Sequence, residues 1–173
     1  MTIINRRPVT TYVSSQYAGL PLNSVFISYR RNNASTVAAN LRFILKTRLG
    51  DHVLFRDIES IPPGDEFRNT ITDAINRCRV FLLLIDPSWC TEIGRKRLED
   101  NNDFIRLELR LGLAKRPSIR IIPILIHGVS SLRDLKLPTD FKCLQNLQSI
   151  QLGEGEHYDS SIERIIRQIT APV

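Results

Sequence analysis

The stretch Val80-Phe81-Leu82-Leu83-Leu84-Ile85 is an unbroken apolar run. Its length suits a β-strand, and its lack of polar alternation is typical of a strand that is covered on both faces. Segments with strand patterns and segments with helical spacing alternate on either side of it. Such alternation indicates βαβ units and a parallel sheet with helices on both faces. We therefore predict a flavodoxin-like α/β fold of three layers with a five-stranded parallel sheet.

Apolar periodicity places the other elements around this run. The remaining strands are predicted at 25–29, 53–55, 119–126 and 149–152. Helices are predicted at 34–48, 65–77, 103–115 and 160–169. The polar stretch 89–102 is predicted to be irregular. Residues 1–23 are rich in Thr, Ser, Asn and Pro, so they are predicted to be a flexible leader that precedes one domain over 24–173.

The composition excludes several classes of protein. Of the 173 residues, 42% are hydrophobic and 24% are charged, which suits a single globular domain better than a disordered chain. The longest apolar run is much shorter than the ~18–20 residues that a membrane helix needs. Three widely spaced cysteines match neither a disulfide framework nor a zinc motif. Reduced thiols, a cytoplasmic location and no metal are therefore expected.

Arginine dominates the positive charge. The net charge is +6, with 19 Arg against 5 Lys, and arginine suits phosphate and carboxylate partners. Arg30 and Arg31 follow the first predicted strand, and ligands of such folds bind at the carboxyl ends of the strands. They either bind a phosphate or pair with Asp57 or Glu59, and the residue pattern leaves both readings open. Nucleic-acid binding is not expected, because no reader motif accompanies the arginines.

The strand ends lack the motifs of the common nucleotide-binding folds. A Rossmann domain would carry a glycine-rich turn after its first strand, where this chain has Arg30-Arg31-Asn32-Asn33, and the sequence contains no P-loop motif. A phospho-receiver domain would need clustered acids at this place. Hydride transfer, P-loop chemistry and phospho-relay are therefore not expected. His127 and Cys90 have no sequence neighbours that would make a metal site or activate a thiol, so we interpret them as structural.

Glu108 is the most informative single residue. At ~100° per residue, the helix predicted at 103–115 places Glu108 within its apolar arc and Arg106 and Arg110 on the opposite side. A carboxylate in an apolar arc is either paired or at the wall of a cleft, since burial of an unpaired charge is costly or raises the pKa. One interpretation is an ion pair with Lys115 or an arginine, and the other is a functional site.

Four motifs, taken in order, resemble those of a known family. They are VFISYRR at 25–31, DIESIPPG at 57–64, DFIRLEL at 103–109 and IPIL at 122–125. Their order and spacing resemble a bacterial Toll/interleukin receptor (TIR) domain and also the animal TIR domain that destroys NAD in injured axons. The resemblance covers about 24–169. It implies a flavodoxin-like fold and an enzyme that cleaves the bond between nicotinamide and ribose in NAD+.

The resemblance also implies roles for individual residues. Glu108 falls on the catalytic glutamate of the NAD-cleaving members, and Phe104 replaces the tryptophan that the family usually carries four residues earlier. Together with the strand-end residues, the candidates for substrate binding are Arg30, Arg31, Phe67, Phe104 and Trp89. The loop that matches the family's BB loop, through which subunits assemble, contains Asp57, Glu59, Pro62, Pro63 and Gly64.

The implied chemistry needs no cofactor besides the substrate NAD+. Departure of nicotinamide leaves an oxocarbenium-like ribose that one carboxylate can stabilise, and nicotinamide leaves as a neutral molecule. The second product would be ADP-ribose or a cyclic ADP-ribose. The resemblance implies antiviral defence or cell-death signalling, activation by self-assembly into a homo-oligomer, and a separate sensor or effector protein. The alternative is a non-catalytic adaptor or effector that binds other TIR domains.

Overall fold

The computed structural model describes residues 25–50, 55–56 and 67–171. Within these ranges five parallel strands form one sheet in the order β2-β1-β3-β4-β5. The strands are β1 (Val25–Ser28), β2 (Phe55–Arg56), β3 (Val80–Ile85), β4 (Arg120–Leu125) and β5 (Ile150–Gln151). The predicted flavodoxin-like α/β fold with a five-stranded parallel sheet is confirmed.

Helices cover both faces of this sheet. In the described ranges they are α1 (Arg31–Leu49), α2 (Phe67–Arg77), α3 (Glu92–Glu99), α4 (Phe104–Ala114) and α5 (Tyr158–Thr170). One buried core joins the sheet to α1 and α5, and a second joins it to α2, α3 and α4. The molecule therefore has the three layers that the alternating pattern predicted.

The strand β3 lies at the centre of the sheet, and all six of its side chains are buried. Val80 and Leu82 pack in the core with α1 and α5, whereas Phe81 and Leu83 pack in the core with α2, α3 and α4. Successive side chains of a strand point to opposite faces, and here both faces are covered by helices. This is why Val80–Ile85 is apolar at every position.

The segment 89–102, which was predicted to be irregular, contains a helix. A 3-10 turn at Pro87–Cys90 leads into α3, and the side chain of Thr91 caps this helix by accepting a hydrogen bond from the Gly94 amide at 3.0 Å. Arg95 forms ion pairs with Glu92 and Glu99 on the exposed side. Capping and charge pairs stabilise a helix whose apolar face is very narrow, so a search for apolar periodicity missed it.

Several predicted boundaries shift by a few residues. The helix predicted from 34 begins at Arg31, so Arg31 belongs to the first turn of α1. The leader 1–23, the strand residues 53–54 and the helix start at 65 lie outside the described residues. Among the described helices, none has the length and apolar character to cross a membrane.

Candidate functional site

The end of β1 and the middle of α4 meet at Glu108. The Glu108 side chain is 1% exposed, and its Oε2 accepts a hydrogen bond of 2.5 Å from the Ser28 hydroxyl. One of the two interpretations left open was an ion pair of Glu108 with Lys115 or an arginine. The pair with Lys115 is not observed, since Lys115 Nζ donates to the backbone carbonyls of Ile75 and Asn76 instead. The placement of Glu108 in the apolar arc of its helix is confirmed, since Ile105, Glu108, Leu109 and Gly112 are the buried residues of α4.

Burial controls the acidity of Glu108. The pKa of this carboxyl is raised to about 8, chiefly because burial removes its hydration; the Ser28 hydrogen bond opposes this rise, and the nearby charge of Asp103 adds to it. The carboxyl group is therefore poised to change its charge near neutral pH. Such a pKa is typical of groups at functional sites.

A cleft of about 660 Å³ opens next to this pair, at the carboxyl end of β1. Ligands of open parallel sheets bind at this edge. The cleft is lined by Tyr29, Arg30, Arg31 and Asn32 from the end of β1 and the start of α1, and by Arg97, Asp100, Asn102, Asp103, Phe104 and Ile105 from the α3–α4 region. Phe104 and Ile105 come from the turn of α4 that precedes Glu108. The carboxyl group thus lies about one helical turn beyond residues that line the cleft.

Arg30 is buried although it lines the cleft. Its side chain is 2% exposed, and its Nη2 donates to the carbonyl oxygen of Gly94 at 3.1 Å. The guanidinium carbon lies 5.1 Å from the centroid of the Trp89 ring. Trp89 itself has no exposed surface. The structure therefore places Trp89, a predicted substrate-binding residue, behind Arg30 in the core.

Arg31 and Phe104 stand at the surface of the cleft. Arg31 is exposed at the first position of α1. Phe104 begins α4 and is 37% exposed, and the guanidinium carbon of Arg68 lies 5.7 Å from the centroid of its ring. An exposed guanidinium can bind a phosphate, and an exposed aromatic ring can stack on a base. The cleft therefore carries groups that suit a nucleotide.

Other predicted site residues fall at or beyond the limits of the described chain. Phe67 is the first residue of α2 and precedes Arg68, but its side chain is not among those described. The five loop residues predicted to mediate assembly lie outside the described residues; they are Asp57, Glu59, Pro62, Pro63 and Gly64. The interpretation of Arg30 as an ion-pair partner of Asp57 or Glu59 therefore stays a prediction.

Sequence reasoning did not single out Ser28, Gly94 or Asp103. Ser28 had a usable signal, because it is a polar residue at the end of an apolar strand and is 1% exposed in the fold. Gly94 contributes only its backbone carbonyl, which accepts the hydrogen bond from Arg30. A pattern of side chains in the sequence cannot predict such a contact. Asp103 caps α4 by accepting a hydrogen bond from the Arg106 amide at 3.1 Å, and it faces the cleft at the same time.

The two residues interpreted as structural do not join this site. His127 lies after β4 in a left-handed conformation with φ of 52°, and burial raises the pKa of the Cys90 thiol, which disfavours the reactive thiolate. Within the described ranges no three His, Cys, Asp or Glu side chains are grouped as a metal site would require.

Comparison with known proteins identifies relatives of the whole domain. The profile described as "TIR domain" matches residues 25–166. The NAD(+) hydrolase sarm1 of Drosophila melanogaster is 26% identical over 143 residues, and the NAD(+) hydrolase tir-1 of Caenorhabditis elegans is 23% identical over 148 residues. These matches cover 83% and 84% of this chain but only 10% and 14% of the relatives. The chain thus corresponds to a small part of each.

Solved structures match the fold at lower identity. The TIR domain of the Toll-related receptor TRR-2 from Hydra magnipapillata has a TM-score of 0.58 at 19% identity and covers 85% of this chain and 98% of that one. The TIR domains of the activated Roq1 resistosome reach a TM-score of 0.60 at 15% identity, with 84% of this chain and 98% of that one covered. Both likenesses concern the architecture of sheet and helices.

Proposed function

This chain belongs to the TIR domain family, and we propose that it is an NAD+ hydrolase that cleaves the bond between nicotinamide and ribose. The observation that carries the proposal is Glu108, a carboxyl group buried in α4 beside a cleft of about 660 Å³ and bonded to Ser28. Two relatives that match over most of this chain are named NAD(+) hydrolases, which supports the same reaction here.

Glu108 is the proposed catalytic residue. As the bond to nicotinamide breaks, positive charge develops on the ribose, and a nearby carboxylate stabilises that charge. The apolar surroundings strengthen the attraction, because little water screens it. Nicotinamide departs as a neutral molecule, so a second acid is not required. The positive charge of bound NAD+ would itself favour the ionised form of Glu108 and lower its pKa on binding.

The exposed residues of the cleft are the proposed binding groups. Arg31 would donate paired hydrogen bonds to the phosphates, and Phe104 would provide an aromatic wall for a base. Phe67 is proposed to add a second aromatic group from the start of α2. Arg30 and Trp89 form the wall behind these groups, since neither side chain is more than 2% exposed.

Self-assembly is the proposed trigger. Glu108 is 1% exposed, so its carboxylate reaches a substrate only if the wall of the cleft rearranges. Contacts between subunits through the loop 57–64 would supply that rearrangement and produce a homo-oligomer. We place the activity in antiviral defence or cell-death signalling, with a separate sensor or effector protein. The product is either ADP-ribose or a cyclic ADP-ribose.

The test measures nicotinamide release by chromatography. The full chain is incubated with NAD+ at increasing protein concentration, with and without a crowding agent, and compared with Glu108→Gln and Glu108→Ala. Glu163, whose side chain is 47% exposed and pairs with Arg48 in the last turn of α1, provides the matched control Glu163→Gln. We expect release that rises with protein concentration, a loss of at least about 1000-fold in both Glu108 variants, and no loss in the control.

Two outcomes would contradict the proposal. Equal rates of nicotinamide release in the wild type and in Glu108→Gln would show that Glu108 is not the catalytic residue. Lack of nicotinamide release under every assembly condition, together with intact binding to another TIR domain, would instead favour the non-catalytic adaptor. Chromatography of the second product separates hydrolysis from cyclisation, and parallel incubation with NADP+ determines which dinucleotide is preferred.

A further inference from the structure

Arg30 and Arg31 are neighbours in sequence, but the fold gives them different surroundings. The Arg30 side chain is 2% exposed, whereas Arg31 is exposed on the first turn of α1. A buried guanidinium and an exposed one have different access to a ligand. The two residues therefore need not share one role.

The Arg30 side chain ties the end of β1 to the corner formed by the 3-10 turn and α3. Its Nη2 donates to the Gly94 carbonyl at 3.1 Å, and its guanidinium lies over the Trp89 ring. Burial and the charge of Arg97 lower the pKa of the guanidinium, while Asp103 and Asp86 raise it. The cation is thus held by a carbonyl oxygen and an aromatic face, and the charges of two carboxylates lie near it.

The backbone of Arg30 joins Ser28, at the end of β1, to Arg31, at the start of α1. Its carbonyl oxygen accepts hydrogen bonds from the amides of Asn33 and Ala34 at 3.1 and 3.0 Å and so begins α1. Ser28, which holds Glu108, lies two residues before it, and Arg31 lies one residue after it. A shift of Arg30 would displace both at once.

The remaining guanidinium nitrogens of Arg30 are hidden from solvent. Nε and Nη1 of Arg30 are buried and have no hydrogen-bond partner among the described residues. To offer them to a phosphate, the side chain would leave both Trp89 and the Gly94 carbonyl. That movement would give up a cation–π contact and a hydrogen bond from a charged donor.

We propose that Arg30 is a positioning residue, which anchors the end of β1 on Trp89 and Gly94 and so places Ser28 and Arg31, while Arg31 alone meets the phosphates. This inference rests on the proposed NAD+ hydrolase function. It gives different roles to Arg30 and Arg31, which the sequence pattern does not distinguish. It assigns Trp89 a supporting role under Arg30 and no contact with the substrate.

The matched variants Arg30→Lys and Arg31→Lys test the division. Lysine keeps the charge but loses the planar group that stacks on an aromatic ring and binds phosphate with two hydrogen bonds. Trp89 is the only tryptophan of the chain, so intrinsic fluorescence reports directly on the Arg30 contact. Arg164→Lys, at an exposed position on α5, is the control. For each protein, kcat and KM for NAD+ and the emission of Trp89 are measured.

Arg30→Lys is expected to lower kcat by about tenfold or more, to change KM by less than about twofold, and to shift the Trp89 emission. Arg31→Lys is expected to raise KM by about fivefold or more with unchanged emission. A raised KM with retained kcat in Arg30→Lys would overturn the inference and leave the hydrolase function intact. If the wild type releases no nicotinamide, the proposed function fails, and a positioning role in that reaction fails with it. Independently of activity, Trp89 emission that is unchanged in Arg30→Lys would refute the proposed contact between Arg30 and Trp89.

Discussion

The hydroxyl of Ser28 donates a hydrogen bond of 2.5 Å to the carboxyl group of Glu108, across a separation of 80 residues in sequence. Ser28 ends a buried strand and Glu108 lies on the buried face of a helix, so both groups are hidden from water. A buried carboxyl with one neutral donor is only partly compensated for its lost hydration. Burial therefore raises the pKa of the proposed catalytic group, and the Ser28 hydrogen bond limits that rise.

Removal of the Ser28 hydroxyl should shift the pH dependence of the reaction. The hydrogen bond from Ser28 lowers the pKa of Glu108, which burial raises to about 8. In Ser28→Ala the pKa should rise further, so the rising limb of kcat/KM should move to higher pH. The exposed Ser160 gives the control Ser160→Ala. An unmoved limb in Ser28→Ala would show that this bond does not tune Glu108.

Glu108→Gln should change how stability depends on pH. In the unfolded chain the carboxyl loses its proton near 4.5, whereas in the folded protein it keeps the proton up to about 8. The unfolded state therefore binds fewer protons between these values, and the wild type loses stability as pH rises from 5 to 8. The glutamine variant lacks this loss. Urea unfolding at pH 5, 6.5 and 8 should show a stability advantage of the variant that grows with pH; a constant difference would contradict the pKa.

Gly94→Ala should destabilise the corner that receives Arg30. A Cβ at this position would lie 1.9 Å from the carbonyl oxygen of Ser88, and that backbone atom cannot move aside as a flexible side chain can. We expect a loss of ~2–3 kcal/mol in the free energy of unfolding. Gly112→Ala is the matched comparison, because the three atoms nearest to its Cβ would all belong to the Phe81 side chain, the closest at 3.2 Å. Equal losses of unfolding free energy in the two variants would argue against close packing between Gly94 and the Ser88 carbonyl.

Phe104→Ala should weaken substrate binding more than folding. The ring is 37% exposed at the mouth of the cleft, so its removal leaves no large cavity in the core. We expect KM for NAD+ to rise by about tenfold and the free energy of unfolding to fall by less than ~1.5 kcal/mol. Phe104→Trp, which keeps an aromatic wall, should retain a KM near that of the wild type. A KM unchanged by Phe104→Ala would exclude the ring from the binding site.

Much of the fold could be predicted from the sequence because its causes are local or periodic. The apolar run Val80–Ile85 is buried on both faces at the centre of the sheet, as its composition indicates. Glu108 stood out because a charged residue in an apolar arc needs a reason. α3 was missed, since a cap at Thr91 and surface ion pairs replace the apolar stripe that a periodicity search requires.

Periodicity and the cost of burying charge were enough to predict the fold class, the order of most elements and the exceptional position of Glu108. Packing in three dimensions makes Ser28 the partner of Glu108, and it buries Arg30 against Trp89 while Arg31 lines the cleft. Those relationships depend on which elements become neighbours in the sheet. Hydrogen bonds and burial between residues far apart in the chain leave no periodic trace in the sequence.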